Sequence, residues 1–133
     1  MKIFIETDLE GISGVAKIEQ VAERDEYTIS RLMCDTNAAV RGFFDGGADE
    51  VYVRDGHGGG NNFPEGALDT RAKQITYHDE FIDECDAVCV VGAHSMAGTE
   101  NAFLDHTQSS VAWHDYYING RRLGEMGQLG AFA

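Results

Sequence analysis

Lys2-Ile3-Phe4-Ile5-Glu6-Thr7-Asp8-Leu9-Glu10-Gly11-Ile12-Ser13-Gly14 follows directly on Met1. The short apolar run Lys2 to Ile5 predicts a buried strand. Two carboxylates then stand two residues apart. Positions i and i+2 of an extended chain face the same side, so Asp8 and Glu10 project together from the strand's end. Gly11 and Gly14 permit a sharp turn behind them. Taken by itself this stretch also reads as a solvated acidic loop. What weighs against that is the way two later strands end.

The next segment, Val15 to Glu26, is polar and irregular and reads as a loop with room for a short helix. Ile29, Leu32, Met33, Thr36, Val40, Phe43 and Phe44 then recur at spacings of three and four, which predicts a helix with one apolar stripe. Asp25 or Glu26 can cap its start, and Gly46-Gly47 stop it. Glu50 to Arg54 predicts a second strand. Strand, helix and strand in this order form a βαβ unit, which implies parallel pairing and a right-handed crossover.

Asp55-Gly56-His57-Gly58-Gly59-Gly60-Asn61-Asn62 is a loop by composition. Phe63 to Thr76 is ambiguous, with Ile75 and Tyr77 able to form a short strand, and His78 to Cys85 reads as helical. Ala87 to Val91 is wholly apolar, as expected of a central parallel strand, and ends in Gly92-Ala93-His94. After a loop from Gly98 to Ser110, Val111 to Ile118 predicts a strand. Asn119-Gly120 predicts a two-residue hairpin turn, with Arg121 to Leu123 returning. Met126, Leu129 and Phe132 mark the first turns of a final helix. The expected architecture is α/β: a parallel-sheet, Rossmann-like βαβ core with a C-terminal hairpin.

The 133 residues fit one domain, with roughly two-thirds of the unfolded chain's surface buried on folding. A net charge of −13 repels phosphate, which argues against nucleic acid and anionic membranes as partners and is compatible with cations. No apolar run approaches the roughly 18 residues of a membrane-spanning helix, and the immediate entry into a strand leaves no room for a signal peptide. Cys34, Cys85 and Cys89 are odd in number and lack C-x-x-C spacing, which points to reduced, buried thiols in a cytoplasmic protein.

Open parallel sheets bind ligands beyond the carboxyl ends of their strands. Here those ends carry Asp8 and Glu10, Asp55 and His57, and His94. Neighbouring strands lie about 4.8 Å apart, so such side chains can share a metal site. Carboxylate oxygen and imidazole nitrogen both suit zinc, and a bridging carboxylate makes a two-metal site with ions roughly 3.5–4 Å apart. Each residue also has a plainer role. His57 and His94 can be ordinary imidazoles, and Asp55 can be a turn former or can orient an imidazole. His78 and His114 read as surface, and His106 as catalytic or surface. Glu125 is a ligand or a first-turn helix acid. Trp113, Tyr116 and Tyr117 read as core or interface.

Thr7-Asp8-Leu9-Glu10-Gly11-Ile12-Ser13-Gly14 resembles the opening signature of the zinc-dependent D-aminopeptidase (DppA-like) family. The resemblance continues at Arg54-Asp55-Gly56-His57, Val91-Gly92-Ala93-His94, Asp105-His106-Thr107, and Tyr117-Ile118-Asn119-Gly120-Arg121 through Gly124-Glu125-Met126-Gly127. Five motifs in order are far more specific than one. The resemblance implies Asp8 as a bridging ligand, Glu10, His57, His94 and Glu125 as the other zinc ligands, and His106 as the catalytic histidine. The gap from His94 to His106 is about one residue longer than the family pattern. The resemblance further implies two zinc ions per chain, hydrolysis of short peptides with an N-terminal D-residue such as D-alanine, and a large homo-oligomer. Family members are roughly twice as long, so residues 1–133 correspond to an N-terminal metal-binding α/β domain of a longer protein. Two other readings stand beside it: a non-catalytic metal-binding fragment, and a phosphoryl-transfer enzyme with Asp8 as nucleophile. The second wants another Asp where Glu10 stands and a phosphate-binding Ser or Lys motif, which the sequence lacks.

Overall fold

A computed structural model of the chain describes residues 1–76 and 84–132, the last four by backbone alone. The elements are β1 (Lys2–Thr7), α1 (Ile18–Glu23), α2 (Glu26–Asp45), β2 (Glu50–Asp55), β3 (Lys73–Ile75), β4 (Ala87–Val91), β5 (Tyr117–Ile118), β6 (Arg121–Arg122) and α3 (Glu125–Phe132). Four strands pair in the order β3-β2-β1-β4, every pair parallel, and β5-β6 is a separate antiparallel hairpin. This is the expected α/β architecture.

The strand β1 pairs on both edges, with β2 and β4, and both of its faces are apolar. Ile3 and Ile5 pack with Val51 and Val53 against Val40 of α2, while Phe4 and Tyr52 form a second cluster with Ile75 and Val88. Ile3, Phe4 and Ile5 are fully buried, each contributing about 1.5–3 kcal/mol. The stripe on α2 seats Leu32, Met33, Thr36 and Val40 inward. Asp25 is the cap, accepting the Thr28 N–H at 2.7 Å, which satisfies one of the free amides of the first turn.

Register positions the site. Thr7 pairs with Asp55 on one side and with Val91 on the other, so β1, β2 and β4 end at one level. The next residues of each strand therefore emerge together. Two glycines let the emerging turns touch. A β-carbon on Gly11 would lie 2.3 Å from the Ala93 carbonyl oxygen, and one on Gly92, at φ +81°, would lie 2.2 Å from that of Asp8. The Gly11 N–H bonds the Gly92 carbonyl at 2.7 Å.

Several expectations differ from the structure. The apolar strand Ala87–Val91, expected to be central, is at the edge of the described sheet and half-buried. An apolar run reports that the faces of a strand are covered and says nothing of its edges. Of the strand expected over Val111 to Ile118, only Tyr117–Ile118 forms. The Ser109 hydroxyl accepts the N–H groups of Val111 and Ala112 at 3.4 and 3.3 Å, and this local turn replaces strand pairing. Val111, Trp113 and Tyr117 are exposed, as is His114. Cys34, expected buried, is exposed on the outer side of α2; all three cysteines are free. The hairpin turn formed as expected, with Asn119 and Gly120 both at positive φ. The helix expected at His78 to Cys85, and with it Tyr77 and His78, falls largely outside the described residues.

Candidate metal centre

A cleft of about 440 Å³ opens where β1, β2 and β4 end. Asp8, Glu10, His57, His94, His106 and Glu125 all line it. The six residues singled out in the sequence therefore converge, although they come from five separate segments of the chain.

They form two groups of donor atoms. Asp8, Glu10 and His57 make one, and His94, His106 and Glu125 the other. In the first, His57 Nδ1 lies 3.0 Å from Asp8 Oδ1 and 3.1 Å from Glu10 Oε2. In the second, His94 Nε2 lies 3.2 Å from Glu125 Oε1. Asp8 Oδ2 lies 3.4 Å from that same His94 nitrogen. The two oxygens of Asp8 thus face opposite groups, and the carboxylate stands between them.

Local structure holds each member in place. The Asp8 Oδ1 atom also accepts the Leu9 N–H at 2.9 Å, which ties the carboxylate to its own turn. His57 begins a single 3-10 turn, His57–Gly59. Asn62 pins that turn, its Nδ2 donating to the His57 carbonyl and to Asp55 Oδ1, both at 2.8 Å, while Asp55 Oδ2 accepts the Asn62 N–H. Asp55 is thus a buried turn former that reaches His57 through Asn62, without touching the imidazole. His94 Nδ1 donates to the Ser95 carbonyl at 2.9 Å, which leaves Nε2 as its free atom. His106 Nδ1 likewise donates to the Leu104 carbonyl at 2.7 Å, and its ring stacks on His94 with centroids 3.6 Å apart.

Charge in the cleft is concentrated. Burial opposes a charge on His57, but the hydrogen bonds that Asp8 and Glu10 accept from it outweigh that cost and push the imidazole up to about 9. His94 also rises to about 9, against the cost of burial, through Glu125, the Ser95 carbonyl and the charge of Asp8. Burial raises Asp8; Glu10 is buried too, yet its bonds with His57 and Asp8 hold it down at about 2. A dication placed here replaces protons that the carboxylates already attract.

The donor set suits zinc. It contains only oxygen and nitrogen, and ligands at the 2.0–2.1 Å usual for zinc–nitrogen stand about 3.3 Å apart on a tetrahedron. The 3.0–3.4 Å separations quoted above match that edge.

Sequence reasoning missed Glu6 and Arg54, which form an ion pair in the cleft wall. Burial pushes the Glu6 carboxyl up to about 7, only partly offset by Arg54. The available signal was alternation, since Glu6 precedes Asp8 by two residues. Asn62, Gln108 and Gln128 were also missed, and no local pattern marked them.

The model of the D-aminopeptidase family, peptidase M55, matches residues 1–133. The chain belongs to this family. Among curated relatives, the D-aminopeptidase of Bacillus subtilis (strain 168) is 28% identical over 137 aligned residues, covering 96% of this chain and 49% of its own length. A solved structure, the Zn-dependent D-aminopeptidase DppA from Bacillus subtilis, described as a self-compartmentalizing protease, matches with a TM-score of 0.86 at 26% identity. That match covers 96% of this chain and 49% of the solved one. The chain therefore spans about half the length of the D-aminopeptidases it resembles. No described helix is long and apolar enough to cross a membrane.

Proposed function

We propose that this chain carries the catalytic centre of a zinc-dependent aminopeptidase that removes N-terminal D-residues, such as D-alanine, from short peptides. The observation that carries the reading is the position of Asp8 between two donor groups, within a chain of the D-aminopeptidase family. In this reading Asp8, Glu10 and His57 would hold one zinc ion, and Asp8 with His94 and Glu125 would hold a second. Zinc, when bound, supplies Lewis-acid polarisation of a carbonyl and acidification of water. The residues do the rest. Glu10 and Asp8 give the cleft the negative charge that receives dications. The Leu104 carbonyl holds a proton on His106 Nδ1, so Nε2 is the atom free to take or give a proton during hydrolysis. Stacking on His94 keeps that ring beside the proposed ligands.

Residues 1–133 act in this reading as the N-terminal metal-binding domain of a longer protein that assembles into a large homo-oligomer. Exposed Val111, Trp113, Tyr117 and Met126 give apolar surface for such contacts. Three free cysteines fit a reducing cytoplasm. The test is zinc content measured together with hydrolysis of D-alanyl and L-alanyl dipeptides. Two zinc ions per chain and cleavage of the D-form alone are expected. A zinc-loaded protein that leaves D-alanyl peptides intact would refute the reading.

A further inference from the structure

Glu125 and Gln128 stand three residues apart on α3 and so share one helix face. Gln108 grips both. Its backbone N–H donates to Glu125 Oε1, and its side-chain Nε2 donates to Gln128 Oε1 at 3.0 Å. To face α3 twice, the Gln108 backbone takes φ +61°, the left-handed region that residues with a β-carbon disfavour. The loop that carries Gln108 is itself anchored. Thr107 is 1% exposed and its hydroxyl accepts the Ala97 N–H at 3.3 Å, while His106 stacks on His94.

Packing does not account for a glutamine at position 128. The side chain is 9% exposed, and its Nε2 is buried with no partner among the described residues. A leucine would fill similar volume without an unmet donor, and unmet buried donors are destabilising. What a leucine lacks is the acceptor for Gln108. The oxygen of Glu125 that Gln108 holds is the one 3.2 Å from His94 Nε2.

We propose that Gln108 and Gln128 are positioning residues, a two-point clamp that aims Glu125 at His94 and thereby sets the zinc affinity of the site those two residues share. The inference rests on the reading of Glu125 as a zinc ligand. Groups that orient a ligand from outside the metal's own shell typically change affinity 10–100-fold when removed.

The experiment uses the native protein and its Gln128→Leu, Gln108→Ala and double variants. Zinc affinity is measured by competition with a chromophoric chelator, and melting temperature on the metal-free proteins. Each single variant should bind one of the two zinc ions about tenfold or more weakly and the other within about threefold of the parent. The double variant should lose little beyond the single ones, because both break the same hydrogen bond. Metal-free Gln128→Leu should melt no lower than the parent. Unchanged affinity for both ions overturns the clamp. So does a Gln128→Leu variant whose lost affinity comes with a lower metal-free melting temperature, since that is a structural role. A parent that binds no zinc overturns the clamp and the ligand assignment together. Affinity is independent of turnover, so a zinc-binding parent that fails to cleave D-peptides refutes the function proposed above and leaves the clamp decided by the affinities.

Discussion

Acidification should strip zinc from this centre far more steeply than free imidazoles would allow. In the metal-free protein His57 and His94 hold their protons up to about 9, because Asp8, Glu10 and Glu125 surround them. Zinc binds only neutral imidazole, so each proton displaced lowers the apparent affinity about tenfold for each pH unit below that value. With both histidines as ligands, the product of the two site affinities falls about 10,000-fold between about pH 8 and about pH 6. Two imidazoles titrating near the ordinary value of about 6.5 would give only about a 15-fold fall over the same interval. Chelator competition across this range measures the slope. Calorimetry in two buffers of different ionisation enthalpy counts the protons released, about two for each chain filled near pH 7. A fall nearer 15-fold, with less than about one proton released, would refute the packed arrangement of carboxylates around the imidazoles. The sign reverses for stability without metal. Both histidine values are raised, so their contribution is fully present below about 6.5 and is lost as pH rises through about 9.

Four substitutions test the remaining geometry. Asp8→Asn keeps the shape but removes charge from both donor groups, and zinc content should fall from about two ions per chain toward none, whereas Glu10→Gln should weaken mainly one site; an Asp8→Asn protein that keeps two zincs and turns over normally makes Asp8 a turn residue only. Gly11→Ala places a β-carbon against the Ala93 carbonyl and should cost about 1–3 kcal/mol or more in urea unfolding, and an unchanged midpoint would show that the two turns do not touch. Asn62→Ala removes the Nδ2 donor shared by Asp55 Oδ1 and the His57 carbonyl, leaving Asp55 only the backbone N–H of position 62, for a loss of about 1–3 kcal/mol by the same assay together with weaker zinc binding; stability and affinity both equal to the parent's would remove the Asn62 side chain from the support of His57.

The elements legible in the sequence are those whose signal is local. Ile3-Phe4-Ile5 and the stripe from Ile29 to Phe44 encode their own periodicity, and Asn119-Gly120 its own turn, so β1, α2 and the β5-β6 hairpin lie where periodicity and turn chemistry put them. The Val111 to Ile118 run failed because apolar composition alone cannot pair a strand, and the Ser109 hydroxyl offered its backbone amides a nearer partner. The edge position of β4 was likewise invisible, since pairing is a property of neighbours.

The same division runs through the candidate site. Asp8, Glu10, His57 and His94 could be named because strand ends in a parallel sheet are brought to one level by pairing alone, and that pairing is written in the apolar runs. Which atoms face one another is a tertiary matter. The two oxygens of Asp8 point to different groups from a turn that Gly11 and Gly92 let pack against the one after β4. Glu6 meets Arg54 only through the register of β1 on β2, and Gln108 and Gln128 depend on a loop meeting a helix twenty residues on. Hydrophobic periodicity determines where the chain is buried; hydrogen bonds between distant loops have no period, and only the folded chain decides them.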